Sequence, residues 1–247
     1  MNVVRVQLPS RGYLYDGKLE GGWCEIRPMT TREEKIFLTP RQDRTKLLWK
    51  VIENCLLTKD VPVLDLLIGD KFFLLFAIRN ATYGPEYNFN IVCSSCGTRI
   101  KKSLRIPEDL QMRVLEETDG PTFEIELPIS KTKLALRRLT GRDEEEILRY
   151  VSSKSTNSDD GDPEYIYRLS RYIVRIDDKD VDGTAALDFC EEMTAGDSSV
   201  MREAVNEHDC GIDIMFNHIC AKCGWEFDEQ MPFTADFFRT STVSHRF

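Results

Sequence analysis

The sequence predicts an α+β protein, internally duplicated, whose two pseudo-twofold-related copies each hold strands, helices and a Cys-x-x-Cys zinc-knuckle hairpin. Residues 69–97 recur without a gap as residues 196–224, and both copies end in Cys-x-x-Cys-Gly. Gly69/Gly196, Asp70/Asp197, Ala77/Ala204, Gly84/Gly211, Phe89/Phe216, Cys93/Cys220, Cys96/Cys223 and Gly97/Gly224 stand at one constant offset; chance would give roughly two matches in such a window. Further back, Leu8-Pro9 answers Leu127-Pro128, and residues 27–34 answer 137–144, with loops of different length. The boundary falls near residues 117–121. Residues 1–118 are thus the first repeat and 119–247 the second, either as two units or as one pseudo-symmetric domain.

The elements follow in order. Residues 3–8 alternate apolar and polar as a half-buried strand, and the glycine-bounded segment 11–17 has hairpin character leading to a strand at 23–27. Thr30-x-x-Glu33 is a capping box, in which hydroxyl and carboxylate each take the other residue's amide, and Thr140-x-x-Asp143 repeats it. Pro40 stops the first helix. Leu47, Leu48, Val51, Ile52 and Cys55 share one face of a second helix; Phe72, Phe73, Phe76, Ala77 and Asn80 continue as a third that ends before Gly84. The second copy predicts helices over 144–151, 165–174, 185–193 and 198–207, with an exposed polar loop at 152–163. Strands at 87–92 and 99–106 flank one knuckle, and strands at 212–219 and 225–231 flank the other.

Composition bounds the rest. The 247 residues suffice for a full core, and the net charge of -9 lacks the basic surface that nucleic-acid binding needs. No run of about 18 apolar residues occurs, and Arg5, Pro9 and Arg11 interrupt any signal-peptide core. A soluble protein of a reducing cytosol is expected. Of eight cysteines, four lie in the knuckles; Cys24, Cys55, Cys190 and Cys210 read as reduced buried thiols.

A Cys-x-x-Cys turn points two sulfurs to one side, and the glycine that follows lets backbone amides bend toward the thiolates. One knuckle cannot fill a tetrahedral site, whereas two can. A single structural Zn2+ on Cys93, Cys96, Cys220 and Cys223 is the simplest solution, with no position left for water or substrate. The competitor is one zinc per copy, completed by His208, His218 or Cys210; the bland alternative is unmetallated thiols. In the same register, Arg99, Lys101 and Lys102 stand where Glu226, Asp228 and Glu229 stand in the second copy. These charges are candidates for partner binding, either between facing hairpins or between neighbouring molecules, against a plain reading as solvated strand faces. Tyr13, Tyr15 and residues 237–247 are further partner-contact candidates; the plain reading is that the tyrosines cover the first hairpin and the chain end is loose.

Other candidate sites fail. Asp178-x-Asp180-x-Asp182-Gly183 imitates half an EF-hand loop, yet Phe189 stands where the bidentate Glu belongs, and an Asp/Gly turn between strand and helix explains the same residues. Glu144, Glu145 and Glu146 complement a helix dipole. The three histidines have no nucleophile at a recognisable spacing, and no glycine-rich phosphate loop occurs. An enzyme is not expected.

The opening Leu8-Pro9-Ser10-Arg11-Gly12-Tyr13-Leu14-Tyr15, then residues 25–35, then Arg79-Asn80-Ala81-Thr82-Tyr83-Gly84 and the first knuckle, resemble the T4-type phage baseplate protein family. The second copy keeps the capping segment and knuckle but has Leu127-Pro128-Ile129-Ser130-Lys131 in place of the opening signature. The resemblance implies a non-enzymatic late protein in the infected bacterial cytoplasm, a scaffold or chaperone that helps the baseplate hub to form, with baseplate or hub proteins as partners and self-association open. Retention in the virion baseplate is the near alternative. A zinc-ribbon nucleic-acid module, suggested by the knuckles and the basic run 99–105, is the rival from another class. No membrane partner is expected.

Overall fold

Strand β1 (Val4–Gln7) pairs antiparallel with β2 (Trp23–Ile26), Val4 opposite Ile26 and Gln7 opposite Trp23. The segment between them, expected to have hairpin character at 11–17, is a chain of turns in which Arg11, Gly12, Asp16 and Gly17 all take positive φ. At Gly12 the approach leaves no alternative: an added Cβ would lie 2.0 Å from the Leu19 carbonyl oxygen. These turns carry Tyr15 inward, where its hydroxyl donates to Asp70 Oδ2 (2.5 Å) and accepts from the Leu67 amide (3.0 Å). Helix α1 (Thr31–Glu34) opens with the capping box, and the Arg27 guanidinium grips Glu33 at 3.0 Å. That hydrogen-bonded pair brings the Glu33 carboxyl down to about 2. A short 3-10 turn, Lys35–Leu38, follows. The structure, a computed structural model, describes residues 2–38, 44–154 and 162–238, so the expected stop at Pro40 lies outside the described residues.

Helix α2 (Arg44–Cys55) buries Trp49, Val51, Ile52 and Cys55. Helix α3 (Ile68–Tyr83) ends where the Gly84 amide bonds to the Asn80 carbonyl at φ 85°. Strands β3 (Glu86–Val92) and β4 (Arg99–Arg105) make the first knuckle hairpin, with Val92 opposite Arg99. After the short β5 (Met112–Arg113), the pattern starts again.

Strands β6 (Thr122–Glu126) and β7 (Lys133–Arg137) pair antiparallel, as β1 and β2 do. Helix α4 (Gly141–Ser153) carries the Thr140/Asp143 capping box, and Arg137 grips Asp143 at 2.5 Å as Arg27 grips Glu33. Helix α5 (Pro163–Tyr172) begins on an Asp162 cap; within the expected polar loop, residues 155–161 lie outside the described residues. The helix expected to reach residue 174 stops two residues sooner. β-branched Ile173 and Val174 instead open β8 (Ile173–Ile176), which pairs with β7 and with β9 (Lys179–Asp180) in a sheet of order β6-β7-β8-β9. Asp182 then caps α6 (Gly183–Glu192), accepting the Thr184 and Ala185 amides, so these aspartates form a turn and helix cap and not a calcium loop.

Helix α7 (Ala195–His208) begins on a Thr194 cap that accepts the Asp197 amide. The strand expected over 212–219 is broken. Strand β10 (Gly211–Ile212) pairs with β5, the Asp213 carboxylate takes the Met215 amide, and β11 (Met215–Ile219) starts afresh against β12 (Glu226–Gln230).

Two apolar clusters result. The second is made of residues from the second repeat alone, including Leu127, Leu136, Ala186 and Met201. The first is built on α2 and α3 but also takes in Cys210, Met231, Phe237 and Phe238, with Phe216, Phe227 and Phe233 packed against it. The cluster built on α2 and α3 therefore also contains residues that follow β12, Phe237 and Phe238 lying in a 3-10 turn at Ala235–Phe238.

Polar contacts tie the same seam. The Ile68 amide bonds to the Leu139 carbonyl at 3.0 Å, and the Gly141 amide bonds to the Leu66 carbonyl at 3.1 Å. Glu144, expected to serve a helix dipole, is buried; it accepts from Lys71 Nζ at 2.5 Å and Trp49 Nε1 at 2.7 Å. Glu145 pairs with Arg149 and Glu146 with Arg171.

The equivalent glycines of α3 and α7 meet different neighbours. A Cβ at Gly69 would lie 1.8 Å from the Cys210 carbonyl oxygen, which is backbone, whereas one at Gly196 would lie 2.6 Å from Cδ1 of Ile129, the end of a flexible side chain. Gly69→Ala should therefore lower stability by about 3 kcal/mol or more and Gly196→Ala by about 1 kcal/mol or less. Denaturant unfolding of the two variants checks this ordering.

Candidate metal centre

The two knuckle hairpins lie with their inner faces together. Strand alternation sends Tyr87, Phe89 and Ile91 of β3 and Phe216 of β11 inward, and Phe89 meets Phe216 edge to face at 5.7 Å. Lys102 Nζ reaches across the seam, 5.3 Å from the Phe216 ring and 3.4 Å from Nδ1 of His218.

At the tip of each hairpin the backbone makes the same turn. The Cys93 amide bonds to the Thr98 carbonyl and the Gly97 amide to the Cys93 carbonyl; the Cys220 amide bonds to the Trp225 carbonyl and the Gly224 amide to the Cys220 carbonyl. Gly97 and Gly224 close these turns at φ 67° and 72°, a conformation that costs glycine nothing.

The turns bring together Cys93, Cys96, Cys220 and Cys223, whose sulfurs all lie within 4.8 Å of one another. The cross-repeat distances are 3.7 Å for Cys93–Cys223 and 3.8 Å for Cys96–Cys220. A disulfide needs about 2.05 Å, whereas the edge of a tetrahedron with Zn–S of about 2.3 Å is about 3.8 Å. The spacing thus fits four thiolates around one tetrahedral ion and does not fit sulfur–sulfur bonds. Cys93 and Cys220 are buried, Cys96 is half-buried and Cys223 is exposed.

Hydrogen bonding favours thiolate at two of the four. The Thr98 hydroxyl and amide hold the Cys96 thiol at about 6, and the amides of Cys223 and Lys222 lower Cys220. Cys223 moves the other way, to about 11, because its amide partner at Trp225 is outweighed by burial and by the three sulfurs beside it. Such mutual repulsion is what a divalent cation would relieve.

The alternative ligands stand elsewhere. The His208 ring stacks on Phe123 at 4.2 Å, with Nδ1 2.9 Å from the Ala204 carbonyl. His218 faces Lys102, and Cys210 is buried against Gly69, its thiol pushed up by burial. Among the described residues, the four knuckle cysteines are the only group placed to hold an ion.

A family model described as T4 bacteriophage base plate protein matches residues 10–239. The chain belongs to that family. No curated protein and no solved structure matches it. It is thus a phage baseplate protein with an α+β fold, and no described helix is long and apolar enough to cross a membrane.

The candidate partner contacts of this baseplate protein divide. Arg99 and Lys101 point outward on β4, and Glu226 and Asp228 point outward on β12; Lys102 and Glu229 are the inward alternates. Among the described residues no ion pair joins the basic set to the acidic one, because strand alternation turns four of the six charges away from the seam. Tyr13 is exposed. Tyr15 is buried on Asp70 and is withdrawn as a partner contact. In the terminal segment, Phe237 and Phe238 are also buried, on Phe76 and Phe37; the remainder lies outside the described residues. The sequence reading passed over Val92 and Ile219, exposed at equivalent positions just before each knuckle. Their signal was available: an apolar residue on the outward register of an alternating strand.

In metal-free protein at neutral pH, an alkylating reagent should modify Cys96 first, because its thiol, half-buried and held at about 6, is largely thiolate, whereas Cys223, though exposed, is raised to about 11 and should follow. Cys24, Cys55 and Cys190, pushed by burial to about 12, 11 and 12, should react only on unfolding. Time-resolved mass spectrometry of peptides would read the order.

Proposed function

We propose that this protein is a non-enzymatic assembly factor for the phage baseplate hub, a protein-binding scaffold or chaperone whose two repeats are stapled by one structural Zn2+. The observation that carries the reading is the four-sulfur cluster, with two thiols from each repeat at the edge length of a zinc tetrahedron. Four thiolates saturate the ion, so its role is to fasten and not to activate water.

An internal duplication explains the repeated contacts. The Arg27–Glu33 grip recurs as Arg137–Asp143. Asp70 takes the Ser10 amide after Leu8-Pro9, and Asp197 takes the Ile129 amide after Leu127-Pro128. Residues 1–118 and 119–247 are then the repeats of one pseudo-symmetric domain, since the first core contains Met231, Phe237 and Phe238. Its partners are baseplate or hub proteins in the cytoplasm of the infected bacterium. A nucleic-acid role has little support: the basic outward face of β4 has no aromatic side chain for stacking.

Metal analysis should find one zinc per chain, and Cys→Ser at any of the four positions should weaken zinc binding by more than about a hundredfold. Two zincs per chain, or none in protein purified without chelator, would sink the shared site. Quantitative mass spectrometry of purified particles beside the infected-cell lysate tests the assembly role. Abundance in lysate with absence from particles is the expected result; a fixed copy number per tail would make the protein a structural hub component instead.

A further inference from the structure

The two knuckle hairpins carry opposite charge at matching positions of their outward faces. On β4 these are Arg99 and Lys101; on β12, at the repeat offset, they are Glu226 and Asp228. The inner faces pack on each other through Phe89 and Phe216, so the two outward faces look away from each other on one molecule. The match cannot be satisfied within the chain. Among the described residues Arg99, Lys101 and Glu226 have no ion-pair partner, and Asp228 accepts only from Asn217 of its own hairpin, at 3.1 Å.

Shape supports the charge pattern. The basic face has a shallow hollow lined by Asn88, Asn90 and Lys101. The acidic face exposes two apolar side chains, Met215 at 46% and Ile219 at 59%, flanking Asn217. The acidic face therefore sets Met215 and Ile219 beside its acids, and the basic face sets Val92 and a recess beside its bases.

We propose that the occupant of each outward face is a second copy of this chain: the acidic β11–β12 face of one molecule docks on the basic β3–β4 face of the next. Each molecule carries both halves of the match in one register, which an unrelated partner would have to reproduce by coincidence. The net charge of -9 does not prevent it, because at about 0.1 M salt charges act over only about 10 Å and those that meet decide the contact. The contact is heterologous, so it propagates head to tail into a closed ring or an open filament. It needs the two sheets face to face but does not depend on the zinc reading.

Sedimentation velocity of the full chain in its metal-bound form tests this, with zinc content measured on every sample. The wild type should associate with concentration at about 0.05 M salt and dissociate at about 0.5 M. Arg99→Glu/Lys101→Glu makes both faces acidic and Glu226→Lys/Asp228→Lys makes both basic, so each variant alone should associate at least about tenfold more weakly. Mixed in equal amounts they should co-assemble, alternating along the array, which misfolded variants would not do. A wild type that stays monomeric with full zinc overturns the pairing and leaves the staple intact. Undiminished association of either variant, failure of the mixture, or a monomeric wild type that binds nucleic acid or another protein through these faces overturns it as well. Loss of zinc from correctly assembling protein would bear on the staple alone.

Discussion

The first turn of α3 buries an acid, an ammonium and a bare backbone site in consecutive positions; the acid fixes how the opening turns sit on α3, and the other two fix how residues after 119 meet it. Asp70 is held by the Ser10 amide and the Tyr15 hydroxyl, Lys71 by Glu144, and Gly69 lies against the Cys210–Gly211 backbone. Charges that are removed from water and left unpaired cost several kcal/mol each, so any sliding of one repeat on the other breaks more than it can regain. The knuckles come together at the far end of β3 and β11 because this turn has already set where α3 and α7 lie.

One kind of contact occurs in two environments. Asp70 and Asp197 both receive amides from the segment after a Leu-Pro pair. Asp70 lies deeper, and burial raises its carboxyl despite Ser10 and Tyr15; for Asp197 the amides of Ile129 and Ser130 win over burial and lower it. Hydroxyls assist at both sites, Tyr15 at Asp70 and Ser130 and Thr194 at Asp197. Similar backbone contacts thus occur in unlike electrostatic surroundings, as similar outward hairpin faces carry unlike charge.

What the sequence made legible was local. The capping boxes, the helix end at Gly84 and the knuckle turns are each decided within a few residues, and the α+β class follows from them. Long-range effects were not legible. Ile173 leaves its helix because β7 offers a free edge, and residues 212–219 split because β5 captures Ile212 first. Glu144 looked like a dipole charge because its partners, Lys71 and Trp49, lie in the other repeat. At the candidate site the four cysteines were legible from spacing; the inward or outward sense of each charge needed the strand register. Phe237 and Phe238 read as a chain end, since no local pattern ties them to α3.

Having Met231, Phe237 and Phe238 in the first cluster also sets an order on biosynthesis. Residues 1–118 emerge from the ribosome with an apolar face that the segment after β12 helps to close. At about 5–20 residues per second, that face stays open for on the order of ten seconds while the second repeat is made. During that interval it is exposed apolar surface of the kind on which misassembly draws.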